Sequence, residues 1–152
     1  MSDLATRFAA LPPATTPQLA AVRFIEGIIR ACVQSDIATE HVIHGGMYAR
    51  TVHINPGIVL TGALINIPTL LIFSGDADVL VGDKWEQFKG YGVIPASAHR
   101  KQAFITRSEV HLTMIFPTQA RTVEEAEAEF TDDAPLLMSR RSPTDSLVIT
   151  GE

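Results

Sequence analysis

The stretch from Ile54 to Gly75 contains no charged side chain, and it limits what the chain can become more than any other feature. It is long enough to cross a bilayer as a helix, which takes about 20 apolar residues. Pro56, Asn66 and Pro68 interrupt it, however, and Thr61, Thr69 and Ser74 add hydroxyls. What is left is three short runs, Ile58-Val59-Leu60, Ala63-Leu64-Ile65 and Leu70-Leu71-Ile72-Phe73. Short apolar runs with β-branched residues, set between turn formers, read as buried strands. The expectation is a β domain with no membrane partner. The first ten residues carry Asp3 and Arg7 and no long apolar run, so they do not read as a secretory signal.

The rest of the centre extends this pattern. Met47 to Ile54, Lys84 to Phe88, Ala103 to Thr106 and Val110 to Phe116 read as strands, with turns at Asn55-Pro56-Gly57 and Gly82-Asp83. Leu70 to Phe73 and Val79 to Val81 read as the arms of a hairpin around Ser74-Gly75-Asp76, and Gly90 and Gly92 as punctuation of the next link. In the last strand Val110, Leu112, Met114 and Phe116 share one face, and His111, Thr113 and Ile115 the other. Many short strands with closely spaced turns indicate a sandwich or barrel.

Helices flank this zone. Leu19, Val22, Ile25, Ile28, Ile29 and Cys32 recur at spacings of three and four, after a start marked by Thr16 and Pro17. Thr122 and Glu125 form a capping box, followed by Val123, Ala126 and Phe130 at helical spacing. The chain thus divides into an arm and helix over 1–39, a β-barrel over 40–117, and an acidic helix with a tail over 118–152. The segment Ser139-Arg140-Arg141-Ser142-Pro143 reads as a flexible or partner-bound tail.

Composition removes several function classes. With 46% hydrophobic and 19% charged residues in 152, one core is affordable and global disorder is excluded. A single cysteine, Cys32, excludes an internal disulfide framework and a multi-cysteine zinc site. It reads as a small core residue of a reduced, cytoplasmic protein. The net charge of −5 argues against a nucleic-acid partner. That charge is local: Glu124, Glu125, Glu127, Glu129, Asp132 and Asp133 carry the whole excess of acid over base. They read either as a solvated helix face or as a surface for a basic partner.

The candidate chemistry is sparse. There is no dinucleotide fingerprint, Walker-type loop or nucleophile elbow, so no catalytic residue is assigned. Of the five histidines, His41 and His44 would point to opposite faces of a strand, and His53 and His111 read as lining or surface residues of strands. His99, after Pro95-Ala96-Ser97-Ala98, is the best single pocket candidate, with Tyr48 and Arg50 as polar companions. Trp85 and Tyr91 read as packing residues, and Arg100-Lys101 as a small basic spot.

The zone from Tyr48 to Pro117 resembles a cupin, a double-sheet β-barrel of the jelly-roll type. Leu70-Leu71-Ile72-Phe73-Ser74-Gly75-Asp76 is similar to the strand and glycine turn of the first cupin motif, and Gly90, Pro95 and His99 to the second. Where the first motif has metal-binding histidines stand Ala63, Leu64, Ile65 and Asn66, and near its glutamate stands Thr69. One ligand position in four is filled, so the resemblance implies a mainly β, single cupin-like barrel with an N-terminal helix and an acidic C-terminal helix, holding no metal or other cofactor. The runs His41 to Thr51, Gly90 to Ala96 and Thr122 to Phe130 further resemble small cupin-like proteins of tailed bacteriophages and prophages.

That resemblance implies a non-enzymatic structural component of a virion (tail, connector or head surface), made in the bacterial cytoplasm. Its partners would be other copies of itself and other virion proteins. Val22, Ile25 and Ile29 on the first helix, and Glu124, Glu127 and Phe130 on the second, would then be docking surfaces. Two alternatives stand beside it: a metal-dependent cupin isomerase or dioxygenase in which His99 converges with His44, His53 or His111, and a small-ligand or sugar-binding module.

Overall fold

Burial alternates along the long strands, and that alternation gives one sheet a wet face and a dry face. The computed structural model describes residue 8, residues 10–137 and residues 146–150. The helix α1 (Thr16–Arg30) comes first, followed by strands β1 (Ala38–His44), β2 (Met47–Ile54), β3 (Val59–Thr61), β4 (Thr69–Val81), β5 (Lys84–Ala96), β6 (Ala103–Thr106) and β7 (Val110–Pro117). Helix α2 (Val123–Phe130), a single 3-10 turn (Ala134–Leu136) and strand β8 (Ser146–Ile149) complete the order. The fold is mainly β, as expected: a curled half-barrel with two helices.

The strands run β3-β6-β4-β7-β2-β1-β8, with β5 on the other edge of β4. β4 is the corner of the barrel. It pairs with β5 along its whole length, with β7 over Leu70–Ser74, and with β6 over Ala77–Val79. Two wings of sheet therefore diverge from one strand and close on a shared core, which includes Phe73, Phe88, Ile54, Ile94, Phe104 and Phe116. Each such side chain, fully buried, is worth roughly 1.5–3 kcal/mol relative to exposure.

The expected hairpin around Ser74-Gly75-Asp76 is not a turn. Those residues continue β4, and its pairing passes there from β7 to β6. Gly75 has φ of 137°, and a Cβ on it would meet the Glu109 carbonyl oxygen at 2.6 Å. Only glycine fits this corner, where β7 leaves and β6 takes over. Gly90 and Gly92 likewise lie inside β5 rather than ending it. At Gly92 the missing side chain makes room for the Phe8 ring, which packs edge-on against Phe73 and tilted against Phe88.

The helices are capped as their sequences require. The Thr15 hydroxyl, one residue before the expected cap, accepts from the Gln18 amide at 3.2 Å. Thr122 and Glu125 make the capping box, with Thr122 Oγ1 accepting from Glu125 N and Glu125 Oε2 accepting from Arg121 N. Helix α1 seats Val22 in a slot made by Leu80 and Ala103. Its Gln18 amide donates to the carbonyls of Leu80 and Lys101.

The C-terminal segment departs from expectation in one respect. Residues 146–149 pair in parallel with β1 over Glu40–Ile43, so this part of the chain extends the sheet. The Ser139–Pro143 run lies outside the described residues. Among the described residues, no helix is long and apolar enough to cross a membrane.

Candidate functional site

The dry face of the curled sheet does not fill its own interior. A cavity of about 1190 Å³ lies between the wings and opens under the C-terminal half of α1. Its apolar wall includes Val52, Leu60, Leu71, Phe104, Leu112 and Met114. Such a space is large enough for a drug-sized molecule, for which about 300–1,000 Å³ is usual.

Of the four arginines that line the cavity, Arg50 and Arg100 are buried, and their surroundings differ. Arg50 projects from β2 and donates to Glu127 of α2 at 2.9 Å, with both side chains nearly or fully buried. Its guanidinium also lies over the Phe130 ring at 5.7 Å. Beside it the Tyr48 hydroxyl lies 2.7 Å from His41 Nδ1. The ring of Tyr48 packs with those of Phe116 and Phe130. This network ties α2 to the barrel.

Arg100 sits in the link before β6 and is only 2% exposed. It donates to the carbonyls of Ser97 at 2.7 Å and Ile67 at 3.3 Å, to the Thr69 hydroxyl at 2.6 Å, and weakly to Met114 Sδ at 3.9 Å. All four acceptors are neutral, and among the described residues no carboxylate pairs with it. Burial pulls its pKa down to about 10, which still leaves it charged at neutral pH. On the same wall, Gln102 Nε2 is buried and has no hydrogen-bond partner among the described residues.

The mouth is latched by a third cation. Lys101 Nζ donates to Glu26 of α1 at 2.8 Å and to the Gly62 carbonyl at 2.7 Å. Burial alone would raise the Glu26 carboxyl. The hydrogen bond and charge of Lys101, helped by Thr61 and Arg30, outweigh that and hold its pKa below the ordinary value.

The outer face carries a separate group of side chains. Val52 and Leu112 line the cavity, so their strand neighbours His53 and His111 point away from it. His53, His111 and Glu109 each place one metal-ligating atom within 4.8 Å of the other two.

Several expected site residues sit elsewhere. His99 is exposed, in a left-handed turn with φ of 58°, and does not line the cavity; the buried residue is its neighbour Arg100. Tyr48 is buried but serves the α2 network, whereas Arg50 does reach the cavity. His41 faces inward and His44 outward, as their spacing in a strand requires. Of the expected docking residues, Val22, Glu127 and Phe130 are buried within this chain; Ile25 and Ile29 are half-buried and line the cavity mouth, and only Glu124 is exposed. The acidic helix docks on its own barrel because Ala126, Glu127 and Phe130 share its inner side. Cys32 is exposed rather than in the core, because α1 ends at Arg30. Trp85 and Tyr91 are also largely exposed.

No family model and no curated protein matches the chain. Solved structures do. A cupin superfamily protein from Desulfitobacterium hafniense is 15% identical, with a TM-score of 0.45, over 72% of this chain and 95% of its own. KdgF from Halomonas sp. is 14% identical, with a TM-score of 0.46, over 58% of this chain and 86% of its own. A salicylate 1,2-dioxygenase variant from Pseudoaminobacter salicylatoxidans is 9% identical, with a TM-score of 0.45, over 86% of this chain and 42% of its own. The likeness is one of fold.

These findings correct one expectation. The replaced ligand positions of the cupin motif point to a chain that is no enzyme. The group His53, Glu109 and His111 supplies three ligand atoms that the motif positions do not include, so that argument fails. Neither the fold nor the comparisons support a virion role or a phage origin.

Proposed function

We propose that the barrel interior binds a small molecule with an apolar body and an anionic head, a monocarboxylate being the simplest case. The observation that carries this reading is Arg100, a buried guanidinium on the cavity wall whose acceptors among the described residues are all neutral. Neutral carbonyls and a hydroxyl satisfy individual N–H groups, but they do not neutralise a charge held in a low-dielectric interior. Arg50 shows the contrast, since the chain supplies that arginine with its own carboxylate.

An incoming carboxylate has two donors to meet. One is the edge of Arg100 now turned to Met114 Sδ, the weakest of its four acceptors. The other is Gln102 Nε2. Charge-assisted hydrogen bonds are roughly twice as strong as neutral ones, so a carboxylate displaces the thioether contact readily. The apolar body then lies against Leu71, Phe104 and Leu112. Ile25, Ile28 and Ile29 of α1 cover the entrance.

Thermal denaturation with octanoate and with octanol tests this reading on the intact chain. The expected result is a concentration-dependent rise in Tm with octanoate that exceeds the rise with octanol. Equal shifts, or none, would overturn the assignment of an anion site.

A further inference from the structure

The outer-face group is built into the seam between β2 and β7. His53 and His111 are cross-strand partners, and their rings lie edge to face with centroids 4.4 Å apart. Glu109 immediately precedes β7, and its Oε1 lies 2.8 Å from His111 Nε2. On the other side Glu40 of β1 places Oε2 3.1 Å from His53 Nε2. Ladder partners fix the backbone on both sides, with Ile54 paired to Val110 and Thr51 to Thr113, the last two joined through their hydroxyls at 2.7 Å.

We propose that His53, His111 and Glu109 bind one divalent transition-metal ion, with zinc as the best-suited metal. The donor set decides the class. Two imidazoles and one carboxylate suit zinc and its neighbours, whereas magnesium and calcium take oxygen ligands. Bonds of about 2.0–2.2 Å in a tetrahedral arrangement place ligand atoms roughly 3.3 Å apart. The three atoms now lie within 4.8 Å of one another, so side-chain torsions close the remaining distance while the ladder holds the strands.

Charge and orientation fit as well. Two neutral imidazoles with Glu109 and Glu40 present two negative charges to a dication. The Glu40 carboxylate, 3.1 Å from His53 Nε2, stands on the far side of that ring as a positioning residue and adds to the negative charge that draws an ion. The His111 and Glu109 side chains are 47% and 64% exposed, which gives an ion direct access from solvent and leaves its fourth position to water. The sheet separates this site from the cavity, so the two sites stand or fall independently.

Cobalt(II), whose visible spectrum reports coordination, is the direct probe, on tag-free full-length chain with zinc as competitor. The expected result is uptake of one equivalent, with visible bands that zinc abolishes. His111→Ala and His53→Ala should each eliminate those bands, and Glu40→Gln should weaken binding by about 10-fold while the spectrum is kept. His111 is exposed and does not line the interior cavity, so Tm of metal-free His111→Ala should match that of the unsubstituted chain and keep the comparison interpretable. Absence of uptake, or uptake undiminished in His111→Ala, would overturn the proposal.

Discussion

The two faces of one seam, β2 with β7, put neighbouring residues to opposite uses. Inward, Arg50, Val52, Leu112 and Met114 meet a largely apolar cavity. Outward, Thr51, His53, His111 and Thr113 form a polar ladder open to water. A charge on the inner face must find a partner or shape what binds there, because little solvent screens it. A charge on the outer face is screened, so its effect on stability is small. Identical residue types therefore mean different things one position apart.

The sharpest way to break this contrast is to remove a charge partner on the inner side. Glu127→Gln takes away the carboxylate that faces Arg50, and it should cost about 3–5 kcal/mol in equilibrium denaturation. A double variant, Arg50→Met with Glu127→Leu, should recover much of that loss. A loss below 1 kcal/mol in the single variant would place the pair in effective contact with water.

The glycine corner of β4 comes next. Gly75→Ala forces a side chain onto a backbone with φ of 137° and against the Glu109 carbonyl. It should cost about 2–3 kcal/mol, read from the urea midpoint.

At the cavity mouth the effect should be intermediate and dependent on pH. Glu26→Gln removes the carboxylate that Lys101 meets, at a cost of about 1–2 kcal/mol. The Glu26 carboxyl is held below its ordinary pKa in the folded chain, so the native state favours the ionised form. Its contribution is fully present above the ordinary carboxylate pKa and is lost as pH falls through the lowered, folded-state value. Stability curves of Glu26→Gln and the unsubstituted chain should therefore separate above the ordinary carboxylate pKa and converge as pH falls below it through the lowered, folded-state value. The smallest effect belongs to the outer face: Val93→Thr, at a largely exposed site on β5, should stay within about 0.5 kcal/mol.

Much of this architecture is legible in the residues themselves. The strands at Ala103–Thr106 and Val110–Pro117, and the alternation that sends Leu112 in and His111 out, follow from a period of two. Both helices announce themselves, through Thr16-Pro17, one residue after the actual cap Thr15, and through Thr122-x-x-Glu125. The continuity of β4 is hidden, because Ser74-Gly75-Asp76 has the composition of a turn and only the three-way pairing of β4 shows that the strand continues.

The sites are harder to read. Arg100 and His99 are adjacent, and the histidine is the more eye-catching residue. The left-handed turn sends it to solvent, and the arginine is the one buried in the wall. The signal in the sequence is an Arg-Lys pair one residue before an apolar strand, Ala103-Phe104-Ile105. The pairing of His53 with His111 depends on register between distant segments, which no local spacing encodes.

The central claim is that the interior charge of Arg100 awaits an anionic ligand. Isothermal titration calorimetry of octanoate, with the unsubstituted chain and with Arg100→Gln, tests it most directly. The substitution keeps an amide donor and removes the charge, so binding should weaken by about 10–100-fold, the equivalent of a lost charge-assisted contact. Octanoate binding of equal strength in both proteins would contradict the account.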